Sequence, residues 1–401
     1  MLPGKSIIFT KDYLNIIIYY LLFYAGGAVI NSFLAPFLKT NIGVTDAQIG
    51  ILLATGPIAS LFIQPFWGIK ADRSRYKNTI LIILLTGSLI AALLIPLYAQ
   101  LTFPAHIMFF ITAAGMLLLN SFQTSNIPMS DTIVIELCQE RSWDFGRLRI
   151  AASVGYSVMG LTAGIVIGGL LIRMFPLYAF LSLLTIVAAF FLPRVPGRQR
   201  EKIRMPYLEL LKNKGLLKII ILSLVCSMTL SMHYSFYGIY FLQLGGTTAM
   251  LGLAVACSGI FELPFSMFSK RVIKKLGGTE NTMLIALAVM SLRWLLASFA
   301  RTPLQLLFIN CLHGFSFVVL TICVALFISE NVPPELKASS LAFNGMAVGI
   351  ARILGNLGSG FLVSNWGVST MFAAASVTNA LLLIFFGIFR VKNYLQNHHK
   401  K

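Results

Sequence analysis

Residues 46–77 read DAQIGILLATGPIASLFIQPFWGIKADRSRYK. The run 46–69 is long and apolar enough to cross hydrocarbon as one helix, which takes about 20 residues. Five charges then crowd the end: Lys70, Asp72, Arg73, Arg75 and Lys77. A weak copy follows in the second half of the chain. Ile49-Gly-Ile-Leu-Leu-Ala-Thr-Gly corresponds to Leu251-Gly-Leu-Ala-Val-Ala-Cys-Ser. Each run leads into a basic loop, Lys70–Lys77 or Lys270–Lys275, and then into another apolar run. This predicts membrane-crossing helices arranged in two parallel repeats.

Composition agrees. The 401 residues are 57% hydrophobic and only 11% charged, with a mean hydropathy of +0.84. A soluble domain carries about 25% charged residues to cover its surface, so the lipid bilayer must be this chain's solvent. The net charge of +18 does not imply nucleic acid, because the basic residues fall in short bursts between apolar segments instead of on one compact face. Cys138, Cys226, Cys257, Cys311 and Cys323 lie in or beside apolar segments without CxxC spacing, and read as small core residues. No cleavable signal peptide is expected, since the apolar run after Lys11 is too long for one.

Twelve stretches reach spanning length: 13–37, 46–69, 78–99, 105–137, 148–171, 175–193, 216–243, 248–269, 279–300, 303–329, 338–364 and 368–390. The expected fold is all-α, with twelve transmembrane helices in two pseudo-symmetric six-helix bundles. Residues 1–193 would form the first bundle and 216–401 the second, ending in a short tail. Between them, 194–215 is a basic linker carrying Arg198, Arg200, Lys202, Arg204, Lys212 and Lys214. If both termini are cytoplasmic, the inner side collects 25 of the 31 Lys and Arg; the outer loops hold Lys39, Arg173 and Arg301, and the spans hold Arg149, Arg293 and Arg352. That asymmetry predicts a plasma-membrane topology with both ends inside.

Gly68-Ile-Lys-Ala-Asp72-Arg73-Ser-Arg75-Tyr-Lys77 resembles the loop signature G-x-L-A-D-R-x-G-R-K of the major facilitator superfamily, departing at Arg75-Tyr76. The resemblance implies two six-helix halves with substrate near the midplane between them. It also gives Gly68, Asp72, Arg73 and Arg75 a part in conformational switching. Gly68 would permit close backbone approach, and Arg73, Arg75 and Lys77 would stay at the cytoplasmic face.

A finer resemblance, to the lactose permease branch and its phenylpropionate- and nucleoside-permease relatives, covers nearly the whole chain. Asp144-Phe-Gly-Arg147-Leu-Arg149 followed by Val154-Gly155-Tyr156 is similar to the F-G-R-x-R … V-G-W run of that branch. It implies that Arg149 and Asp131 bind substrate and that Tyr156 supplies a stacking ring. The chemistry is coherent on its own terms, because a guanidinium facing a carboxylate across two helices can hydrogen-bond hydroxyl groups. Seven residues beyond Arg149, Tyr156 lies on the same helix face.

In the second half, Ser291-Leu-Arg293 and Leu312-His313-Gly-Phe315 resemble the same branch, where the histidine joins proton coupling. The chain departs at Ser316, which replaces a carboxylate. Glu262, in Phe261-Glu262-Leu-Pro264, therefore becomes the candidate proton carrier, with Arg293, His313 and Arg352 as its partners. A static Glu-Arg pair would be the structural alternative. His233 could line the cavity or simply pack. Glycine strings at Gly155, Gly160, Gly164 and Gly168, and at Gly345, Gly349, Gly355 and Gly358, suit closely approaching, rocking helices.

No nucleotide-binding loop, HExxH motif or nucleophile elbow is present, so neither catalysis nor a metal or other cofactor is expected. The resemblance implies monomeric, proton-driven uptake of a small solute, a saccharide or nucleoside. An aromatic-acid symporter and a drug efflux antiporter are the alternatives.

Overall fold

A computed structural model describes residues 10–197, 210 and 212–398. Arg198, Arg200, Lys202 and Arg204 of the expected linker lie outside the described residues, as do Lys5, Lys400 and Lys401. Nine helices come first: α1 Lys11–Ile42, α2 Asp46–Arg73, α3 Lys77–Tyr98, α4 Ala105–Arg141, α5 Phe145–Ile167, α6 Leu171–Phe190, α7 Lys214–Gln243, α8 Thr248–Lys275 and α9 Thr279–Ser298. The next, α10, is in two pieces, Pro303–Asn310 and His313–Asn331. The helical run Pro334–His398 is divided at Gly367 (φ 82°, ψ 169°), a conformation that a Cβ disfavours. It gives α11 (334–366) and α12 (368–398). Ten helical stretches are long and apolar enough to cross a membrane, and one of them runs through Gly367. Counting that one as two and adding the broken α10 gives the twelve crossings of an all-helical, multi-pass membrane protein.

Local chemistry sets several helix starts. Thr45 and Gln48 form a capping box at α2, and Thr247 caps α8 at the equivalent place in the repeat. Thr302 and Gln305 repeat the box at α10. In hydrocarbon an unsatisfied N–H costs several kcal/mol, so such caps matter where the chain turns.

Small residues let the two halves meet. A Cβ on Gly164 of α5 would lie 2.2 Å from the Thr248 carbonyl oxygen of α8, and one on Gly252 would lie 2.4 Å from that of Gly160. The other pair of crossing helices repeats the pattern, with Gly50 of α2 against the Asn356 carbonyl oxygen of α11 at 2.4 Å. Hydrogen bonds reinforce both seams. Thr248 Oγ1 donates to Gly164 O (3.0 Å) and accepts from Gly169 N (3.1 Å); Asn356 Nδ2 donates to Leu53 O (2.9 Å). The glycine strings are not uniform, however. Gly155 packs on Leu21 and Gly355 on Met228, each within its own half, while Gly345 meets nothing within 4 Å. Gly168 ends α5 in a left-handed conformation instead of packing helices.

The basic end corrects three expectations. Gly68, Asp72 and Arg73 belong to the last turns of α2, not to a loop, and only Ser74–Tyr76 separate α2 from α3. A Cβ on Gly68 would meet nothing within 4 Å, so no close approach requires that glycine here. Lys77 is not a surface charge. It is 1% exposed, bonded to Glu136 and 3.9 Å from Asp72, because an ammonium withdrawn from water needs carboxylate partners. The segment after α6 is laced onto this corner: Lys77 N donates to Val195 O (2.9 Å) and Asn78 Nδ2 to Pro193 O (3.0 Å). Arg75 and Arg194 both lie over the Tyr76 ring, at 5.3 and 5.4 Å.

Candidate functional site

Asp131 on α4 and Arg149 on α5 meet at 3.3 Å. Two tyrosines of α1 complete the pair. Tyr20 donates its hydroxyl to Asp131 Oδ1 at 2.8 Å, and the Arg149 guanidinium lies over the Tyr24 ring at 4.4 Å. Four groups thus converge from three helices: a carboxylate, a cation, a donor and a π-face. The pair is half-buried, with 34% of the Arg149 side chain and 24% of Asp131 exposed. Ion pair, hydrogen bond and cation–π contact together offset the cost of holding charge in this setting.

The second cluster is drier. Arg293 of α9 is 1% exposed and meets two imidazoles and an amide. Its Nη1 donates to His313 Nδ1 (2.8 Å), and its Nη2 to His233 Nε2 (3.0 Å) and to Asn310 Oδ1 (2.7 Å). Because a guanidinium can only donate, each imidazole presents a lone pair to it. His313 therefore carries its hydrogen on Nε2, facing Glu262 Oε1 at 3.3 Å and the Tyr234 hydroxyl at 3.1 Å. His233 carries its hydrogen on Nδ1, which is buried without a hydrogen-bond partner among the described residues. A carboxylate and a guanidinium are thus joined through one neutral imidazole.

Both clusters face one cavity of about 220 Å³. Arg149, Tyr156 and Tyr24 line it from the first half, and Glu262, His313 and Tyr234 from the second. Asp131 and Arg293 stand behind it, holding Arg149 and His313. Arg352 is not joined to Glu262 among the described contacts. Its backbone carbonyl accepts from Ser231 Oγ (3.2 Å), and the residue is exposed. The partner of Glu262 is an imidazole of α10, not an arginine of α11.

Nothing in the sequence context singles out Tyr20, Tyr24, Tyr234 or Asn310, and that of His233 suits lining and packing alike. A weak signal exists for two of them: Tyr20 and Tyr24 are four residues apart, on one face of α1. Aromatic residues are common in membrane helices, so that spacing does not stand out.

Residues 13–374 match the model of the MFS_1 like family. A maltose permease of Geobacillus stearothermophilus is 27% identical over 374 residues, covering 91% of this chain and 92% of that one. A sucrose permease of Escherichia coli is 22% identical, over 92% of this chain and 91% of its own. Among solved structures, the nucleoside transporter NupG superposes with a TM-score of 0.81 at 19% identity, covering 94% of this chain and 99% of that one. At that identity the likeness speaks for the fold.

Proposed function

The chain belongs to the MFS_1 like family of the major facilitator superfamily, and we propose that it is a proton-coupled symporter for a small neutral hydroxylated solute, a saccharide or nucleoside. One observation carries the reading: side chains from α5, α8 and α10 line a single cavity, so one solute can touch charged groups of both halves at once. Its relatives' names, maltose permease and sucrose permease, point to the same solute class.

The binding side is Asp131, Arg149 and Tyr156. Both donors to Asp131 use Oδ1, so Oδ2 can accept a solute hydroxyl while the guanidinium donates to another. A neutral solute fits better than a carboxylate, because Arg149 and Arg293 are already engaged. The coupling side is Glu262. With His313 Nδ1 occupied by Arg293, an arriving proton goes to the carboxylate rather than to the ring. Arg293 and His313 position that carboxylate, and Arg352 lies at its margin.

Alternating access would proceed by rocking 1–193 against 216–401. The described seams at Gly50, Gly164, Gly252 and Thr248 lie towards the end of the molecule that carries loops 43–45 and 244–247. The cavity would then open towards the basic end, which the Lys/Arg asymmetry assigns to the cytoplasm. Gly68, Asp72, Arg73 and Arg75 would take part at that end, through the corner that joins Lys77 to Glu136. Because one chain builds the whole cavity, a monomer suffices.

Purified protein in proteoliposomes under an imposed proton gradient tests this. Accumulation of labelled maltose, sucrose or uridine is expected, with alkalinisation of the medium on adding solute. Solute entry without proton movement would overturn symport, and export against the gradient would reverse the direction assigned.

A further inference from the structure

Tyr24 and Tyr156 line two hollows, the central cavity and a second one of about 100 Å³ enclosed by helices of the first half. That volume is several times the roughly 10–15 Å³ that one water needs. Its character differs from that of the central cavity. Carboxamides of α1 and α4 (Asn31, Gln123, Asn126) and hydroxyls of α6 (Ser182, Thr185) line it, and no Asp, Glu, Lys, Arg or His does.

Asn126 supplies the sharpest observation. It is 2% exposed, and its Nδ2 donates to Ser88 Oγ at 2.8 Å. Ser88 spends its own hydrogen on Leu84 O (2.6 Å), so it can only accept, and the amide must present nitrogen to it. The Asn126 Oδ1 is thereby left buried with no partner among the described residues. A buried acceptor without a donor costs about 1–3 kcal/mol, and the Asn126 amide borders the hollow.

We propose that this hollow is a second subsite, which takes a neutral hydroxyl-bearing part of the solute while Arg149 and Glu262 attend to the part in the central cavity. The proposal rests on the transport reading above and deepens it. Tyr24 and Tyr156 stand between the two parts, and a solute with two linked rings is held better than either ring alone.

Gly27 allows a clean test. It lines the hollow, and a Cβ there would meet only Asn31 Nδ2, at 3.9 Å. Gly27→Leu therefore fills the hollow from inside α1 and touches none of the charged groups, and leucine is also the better helix former. Affinities of purified wild type and Gly27→Leu would be compared for maltose, sucrose and uridine, and for the single rings glucose and uracil. The two-ring solutes should bind about tenfold more weakly to the variant, equivalent to about 1.4 kcal/mol, with the single rings unchanged. Asn126→Leu should give the same split, and serves as well if Gly27→Leu does not fold. Equal affinities of wild type and variants for a two-ring solute, or equal losses for two-ring and single-ring solutes, would overturn the subsite alone. Wild-type protein that binds none of the five would overturn the transport reading together with it.

Discussion

Arg293 donates to Nδ1 of His313 across 2.8 Å, and that bond decides where a proton can reside at this side of the cavity. An imidazole whose lone pair faces a guanidinium cannot take a second hydrogen without losing the bond. The ring stays neutral and turns Nε2 towards Glu262. On the proposed mechanism, the proton-carrying duty falls to the carboxylate.

Glu262→Gln keeps the shape and removes the titration. It should abolish proton-driven accumulation while leaving counterflow exchange across equal proton concentrations. Accumulation at wild-type level would remove Glu262 from the coupling mechanism.

Arg149→Lys tests the binding pair. A point ammonium cannot keep the Asp131 contact, cover the Tyr24 ring and present a planar fork to solute at once. Solute affinity should fall at least about tenfold, a loss of about 1.4 kcal/mol. Unchanged affinity in a direct binding assay would exclude Arg149 from the site.

His233→Leu removes an acceptor from a guanidinium that is 1% exposed. The loss should be about 1.5–3 kcal/mol, the worth of a hydrogen bond to a charged group, read as a lower thermal midpoint in detergent. His233→Gln, whose amide oxygen can accept, should recover part of it. If the leucine variant melts with the wild type, His233 does not hold Arg293.

Gly164→Leu should act on the cycle more than on the fold. Its side chain would collide with the Thr248 carbonyl, which lies 2.2 Å from a Cβ there. The seam between α5 and α8 could then not close, so transport should cease while solute binding persists. Distances between spin labels placed on loops 43–45 and 244–247 should lengthen. A transporting variant with wild-type distances would show that this seam need not form.

Asp131, Arg149, Glu262 and Arg293 are conspicuous in the sequence because charge is scarce inside apolar runs, and each such charge needs a reason to be there. Their tyrosine partners are not conspicuous, since an aromatic residue in a membrane helix is unremarkable. Lys77 misleads for the opposite reason. It sits among surface charges in sequence, yet Glu136, 59 positions away on α4, draws it inside. Arg352 reads as a neighbour of Glu262, yet among the described contacts no ion pair joins the two; the residue is exposed.

The number of crossings, their limits to within eight residues, and the six-and-six repeat follow from the chain alone. In lipid each backbone N–H must be satisfied within its own helix, so a span is a local property of about 20 consecutive residues. Which side chains meet across helices is a different kind of fact. Arg293 finds its three partners on α7 and on both sides of the break in α10, and only the rotation and tilt of packed helices bring them within 3 Å. Those rotations depend on where backbones can touch, as at Gly164 and Thr248, and contacts of that kind are settled between helices, not within them.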